Sequence, residues 1–203
     1  MPPPGRGQPQ GEPERLRARA LHRGTLVHRL MQSLPEIAAE RRRAAALNYL
    51  ARQAKEYSVK ELSVKEFSAA EREALVQAVL NLIADDRFKA LFGPGSRAEV
   101  AIAGRLRRPG RPPLKVSGQI DRLVVTPAEI LIVDFKTNQA RPEQAPAAYL
   151  RQLALYRAVL QQLYPTRPVR AALLWTEALE WMEISAPALD AELAALEAAS
   201  AMA

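Results

Sequence analysis

Residues 130–136, Ile-Leu-Ile-Val-Asp-Phe-Lys, constrain this chain more than any other stretch. A run so apolar and β-branched reads as a central strand, covered on both faces by other layers. Asp134 interrupts it, and a carboxylate is costly to bury unless it is paired or bound to a metal. Lys136 follows two residues later. Side chains alternate along a strand, so Asp134 and Lys136 share one face and Phe135 points to the other, into the core.

The flanking sequence supplies the rest of a sheet. Residues 116–125 read as a strand and Thr126-Pro127-Ala128 as a tight turn, which makes a hairpin with the central strand. Asp121 then comes opposite Asp134, because the turn centre lies midway between them. An earlier strand is expected over residues 98–103, a helix over 146–163, strands over 169–175 and 181–184, and an Ala-rich helix from 187 onward. The first half reads as helical. Gly24 and Thr25 open a short helix with Leu26, Leu30 and Leu34 as its stripe, and a second helix covers residues 37–57. Residues 58–67 hold a small direct repeat, Ser-Val-Lys-Glu-Leu then Ser-Val-Lys-Glu-Phe, too short for a solenoid unit. Ser68 caps the next helix with Glu71 in the capping-box position, and Leu75, Val79, Leu82 and Ile83 form its stripe. Gly93-Pro94-Gly95-Ser96 ends the helical half.

A hairpin followed by a helical crossover implies an α/β fold, a mixed sheet of about five strands flanked by helices. Residues 1–14 read as a disordered tail or linker remnant, being Pro-, Gly- and Gln-rich at first. Residues 15–203 then form one domain, with a helical half over 15–95 and a sheet half over 96–203.

Composition narrows the partners. The 29 Lys and Arg residues outnumber 22 Asp and Glu and leave a net charge of +7, which favours an anionic partner, nucleic acid before an acidic membrane. The chain has no cysteine, which excludes disulfides, zinc–thiolate sites and an iron–sulfur cluster. No apolar run reaches membrane-spanning length and no signal peptide is evident, so the chain is expected to be soluble and cytoplasmic. A phosphate-binding loop of the G-x-x-x-x-G-K-[ST] kind is missing too, so no ATP site is expected.

Two carboxylates and an ammonium at one spot suit phosphodiester hydrolysis. Asp121 and Asp134 can hold a hard cation, Mg²⁺ or Mn²⁺, while Lys136 orients the nucleophile or stabilises developing charge. The competing reading is a buried ion pair, Asp134 with Lys136 or Asp121 with Arg122. Gln152 and Tyr156 share a helix face at i, i+4, either turned to a phosphate and the lysine or as surface amide and core aromatic. His28 and Glu99 are weaker candidates by themselves, as a surface histidine and an edge-strand charge. Residues 106–114 read as a long basic loop. With Arg105, Arg107, Arg108, Arg111 and Lys115 it either grips a phosphate backbone or is simply solvated. The run Arg41–Arg43 reads as a solvated helix face.

Four segments in order, Gly24-x-x-x-His28, Gly118-Gln119-Ile120-Asp121-Arg122-Leu123, Val133-Asp134-Phe135-Lys136-Thr137-Asn138 and Gln152-x-x-x-Tyr156, resemble the motifs of RecB-like nucleases of the PD-(D/E)XK superfamily. The likeness is nearest to the C-terminal nuclease domain of AddA, a helicase–nuclease subunit of bacterial double-strand-break repair. It implies that His28, Asp121, Asp134 and the Phe135 backbone carbonyl ligate the metal. Lys136 would be the catalytic lysine, and Gln152 and Tyr156 would complete the site. The family usually has Tyr where Phe135 stands. The resemblance further implies exonuclease-type hydrolysis of DNA, acting with a helicase domain or an AddB-like subunit. The alternative is a nucleic-acid-binding or assembly module that keeps the fold without cutting alone.

Overall fold

The computed structural model describes residues 12–60, 67–108, 110–137 and 141–199. The chain divides into two compact units, residues 1–77 and 78–203. Helices α1 (Glu12–Ser33) and α2 (Ala39–Lys60) belong to the first unit, joined by a 3-10 turn at Leu34–Glu36. Leu26, Leu30 and Leu34 are all buried, as their spacing requires. α1 nevertheless starts well before Gly24. Residues 14–23 are mostly Glu, Arg, Leu and Ala, good helix formers that carry the helix back to a proline tolerated in its first turn. The tail is therefore shorter than its composition suggests, since residues 12–14 are already helical; residues 1–11 lie outside the described residues, as does most of the repeat at 58–67. Arg42 in α2 is not merely solvated, because it donates to the carbonyls of Ile37 and Pro35.

Helix α3 (Ala69–Ala84) begins with the expected capping box. The Ser68 N–H donates to the Glu71 carboxylate at 2.8 Å, and the Glu71 N–H donates to the Ser68 hydroxyl at 3.2 Å. Its stripe of Leu75, Val79, Leu82 and Ile83 is buried.

The second unit holds one five-stranded sheet in the order β1-β2-β3-β4-β5. Its strands are β1 (Ser96–Arg108), β2 (Arg111–Val125), β3 (Ile130–Lys136), β4 (Val169–Trp175) and β5 (Glu180–Ile184). All neighbours are antiparallel except β3 and β4, which run parallel and are joined by the crossover helix α4 (Ala147–Leu163). Helix α5 (Ala186–Ala199) closes the chain. The mixed α/β architecture is the expected one. β3 and β4 are its core: Ile130, Ile132, Val133, Ala171, Leu173 and Trp175 are buried completely.

One expectation is overturned. The basic stretch over residues 106–114 is not a long loop, because β1 and β2 extend through it as a hairpin. Leu106 pairs with Leu114, and Gly110 takes a positive φ of 67° in the tight turn. Pro112 and Pro113 suggest a loop in sequence. They stand at the very start of β2, where a missing N–H donor is tolerated. No described helix is long and apolar enough to cross a membrane.

The capping box yields a pH-dependent prediction. Hydrogen bonds from the Ser68 backbone and from Arg19 hold the Glu71 carboxyl down at about 2. A depressed carboxylate stabilises the fold above its unfolded value of 4.5 and loses that contribution as pH falls toward 2. Glu71→Gln should therefore melt below wild type at neutral pH by circular dichroism, with the gap closing on acidification. A gap independent of pH would contradict the assignment.

Candidate metal and catalytic centre

The centre forms where β2 leaves β3. Their ladder runs from Val125↔Ile130 to Arg122↔Val133 and stops. One register step further stand Asp121 and Asp134, the pair that the hairpin reading sets opposite each other. Beyond the ladder a side chain replaces the strand: the Asp121 carboxylate accepts the Phe135 N–H at 2.7 Å. In extended backbone the N–H and C=O of one residue point to the same side, so the Phe135 carbonyl also faces β2.

Glu99 enters through a backbone irregularity. The β1–β2 ladder pairs Ala98↔Arg122 and Val100↔Ile120, but Glu99 between them has φ of 53°. A non-glycine residue in that region costs roughly 1–3 kcal/mol and persists only where its surroundings impose it. Here the Gln119 amide holds the Glu99 carbonyl at 3.3 Å. A carboxylate oxygen of Glu99 consequently lies within 4.8 Å of one on Asp121. Two ionised carboxylates that close repel each other unless a cation or proton offsets them.

Asp134 and Lys136 form an ion pair on one face of β3, and both side chains are largely shielded from water, at 10% and 13% exposure. α4 covers them. Its Gln152 amide donates to the other Asp134 oxygen at 3.2 Å. Its Tyr149 ring lies 3.6 Å from the Lys136 ammonium, within cation–π range. From the neighbouring strand, the Thr176 N–H anchors the Lys136 carbonyl at 2.9 Å. Phe135 turns away and is buried.

Tyr156 is a buried core aromatic with a polar tip at the centre, its hydroxyl accepting the Gln119 N–H at 3.2 Å. That contact exists because residue 118 is glycine. A Cβ there would stand 1.9 Å from the Tyr156 hydroxyl oxygen.

The structure thus gathers Asp121, Asp134, Phe135, Lys136, Gln152 and Tyr156 within the second unit. His28 is on α1 of the first unit, half-buried. Arg105, Arg107 and Arg108 on β1, and Arg111 and Lys115 on β2, occupy the outer half of the hairpin rather than the carboxylate cluster. Asn138 lies outside the described residues. Sequence reasoning gave no role to Tyr149, although its place three residues before Gln152 sets both on one helix face. Glu99 gains its standing from a positive φ that no sequence pattern signals.

The Glu99 and Asp121 carboxylates place oxygen donors close together. Such donors suit a hard divalent cation such as Mg²⁺ or Mn²⁺ rather than a soft metal.

Residues 6–200 match the PD-(D/E)XK nuclease superfamily. The chain belongs to that superfamily. A search of curated proteins finds no match. Among solved structures the chain is similar to one described as "Crystal structure of SSO0001", at 15% identity and a TM-score of 0.34, over 92% of this chain and 88% of that one. A likeness of that degree carries no argument about this site.

The close approach at Gly118 makes a sharp prediction. Gly118→Ala must push Tyr156 out of its seat and should destabilise the fold by about 1–3 kcal/mol in urea unfolding. Adding Tyr156→Phe removes the atom nearest the new methyl and should recover part of the loss. Strictly additive effects would show that the two residues do not meet.

Proposed function

We propose that this member of the PD-(D/E)XK nuclease superfamily is a Mg²⁺- or Mn²⁺-dependent deoxyribonuclease acting on DNA ends or single strands. The observation that carries the reading is the Asp134 carboxylate, held by Lys136 on one oxygen and by Gln152 on the other, one register step from Asp121. Asp121, Asp134 and the Phe135 carbonyl would hold the cation, with Glu99 beside them. The motif Gly24-x-x-x-His28 supports His28 as a further ligand. A bound divalent cation would lower the pKa of water and screen the phosphate charge.

The protein groups do the positioning. Lys136 sits at the ion pair with its ammonium against Tyr149, from where it can orient an attacking water or meet charge developing on a phosphate oxygen. Gln152 fixes the rotation of the Asp134 carboxylate. Tyr156 secures the backbone of β2 two residues before Asp121 and so sets where that carboxylate stands.

The motif resemblance supports a finer reading: exonuclease-type cleavage in recombinational double-strand-break repair, of the AddA kind, with a helicase domain or an AddB-like subunit delivering the DNA. A second reading has one observation in its favour. The Asp134–Lys136 ion pair satisfies both charges by itself, as it would in a binding or assembly module that keeps the fold without cutting.

Cleavage separates the two. Wild type should degrade linear single-stranded DNA only with Mg²⁺ or Mn²⁺, and Asp134→Asn or Lys136→Ala should slow this by about 10²–10³-fold. No cleavage by wild type with either cation, or cleavage by both variants at the wild-type rate, would sink the catalytic assignment.

A further inference from the structure

The outer half of the β1–β2 hairpin carries a surface that the catalytic reading does not use. Residues 100–120 contain Arg105, Arg107, Arg108, Arg111 and Lys115 and not one acidic residue. One face of this ribbon is committed to α4: Ile102, Leu106 and Val116 are buried, and Cβ atoms at Gly104 and Gly118 would run into Val159 and Tyr156 of that helix. Alternation therefore turns the residues between them to the other face. Those residues, Ala101, Ala103 and Arg105 on β1 with Lys115, Ser117 and Gln119 on β2, are all exposed.

Their order matters. The register pairs Ala101 with Gln119, Ala103 with Ser117 and Arg105 with Lys115. A strip of small and polar side chains thus leads from Glu99 and Asp121, at the carboxylate end, to a cationic end that Arg107 extends. Six residues at about 3.3 Å each make it roughly 20 Å long, enough for several nucleotides. Arg108 and Arg111 have other tasks, donating to the carbonyls of Pro112 and Glu197. Arg105, Arg107 and Lys115 are exposed.

We infer that this strip is a track for a single strand of nucleic acid, which runs from the cationic end of the hairpin toward the carboxylate pair. The inference rests on the nuclease reading of the centre, and names the surface that delivers its substrate. Charge complementarity selects the occupant, because a run with five cations and no anion suits a polyphosphate backbone. The small residues leave the strip low enough for a flexible strand to lie along it. Residues 93–134 contain no Phe, Tyr or Trp, so the ribbon itself offers no aromatic platform for stacking bases. Binding must then be electrostatic, blind to sequence and steep in salt.

The test is fluorescence anisotropy of labelled oligo(dT), and of a mixed-sequence strand, with the full chain in EDTA across a salt series. Binding is thereby read without cleavage. For single strands each phosphate contact contributes about 0.7 to the slope of log K against log salt. Replacing Arg105, Arg107 and Lys115 together by Ala should lower the slope by about 2 and weaken binding at least ~10-fold at low salt. Replacing Arg17, Arg41 and Arg52 together by Ala, exposed positions on α1 and α2, removes the same three charges and controls for net charge alone. An unchanged slope in the hairpin triple variant overturns the track, as does an equal slope loss in the helical control. Equal binding of a duplex, equally weakened by the triple variant, overturns the single-strand assignment. A chain that binds as expected but cuts nothing contradicts the nuclease reading and leaves the track standing.

Discussion

A carboxylate and an ammonium on the central strand of the sheet set the terms for everything around them. β3 lies between two partners, with Ile130, Ile132 and Val133 fully enclosed, and an isolated charge there would cost several kcal/mol. Asp134 and Lys136 answer that cost by pairing with each other on a shared face. The pairing is not enough for all their donors and acceptors, so α4 brings Gln152 to the carboxylate and Tyr149 to the ammonium. The crossover helix is thus more than a cover for the parallel pair. It makes the charges tolerable.

The same strand end shows where regular structure gives way to chemistry. β2 stops pairing with β3 one step short of Asp121, and the side chain of Asp121 takes over the N–H that the strand abandons. Opposite, Glu99 breaks the β1 ladder with a left-handed backbone. Two adjacent departures from the ladder bring the Glu99 and Asp121 carboxylates together. A sheet optimised for stability alone gains nothing from this. Three residues before Asp121, the missing side chain of Gly118 admits the Tyr156 hydroxyl to the β2 backbone.

Much of this could be read from the sequence because it follows from periodicity. The apolar run at 130–136, the turn at 126–128 and the alternation of Asp134 and Lys136 need only local rules, and the hairpin register places Asp121 by counting. The capping box at Ser68 and the stripe of α3 are equally local. What the sequence hid depends on geometry between segments. Gly24 looks like a helix start, yet the residues before it are good enough helix formers to run through it. Prolines 109, 112 and 113 look like a loop, yet the pairing of Leu106 with Leu114 extends the strands to either side of the turn. Tyr149 becomes meaningful only when the lysine lies under its ring. Glu99 becomes meaningful only when its backbone turns the wrong way.

The divalent-cation site proposed at the end of β3 draws on Asp121, Asp134 and the Phe135 carbonyl, with Glu99 and His28 as further candidates. Mn²⁺ titration of the full chain by calorimetry, with wild type beside Asp121→Asn and Asp134→Asn, tests it directly. Circular dichroism would confirm that each variant remains folded. The proposed site predicts saturable Mn²⁺ binding by wild type, competed by Mg²⁺ and weakened at least ~10-fold by either substitution. Binding of equal strength in all three folded proteins, or none in wild type, would contradict it.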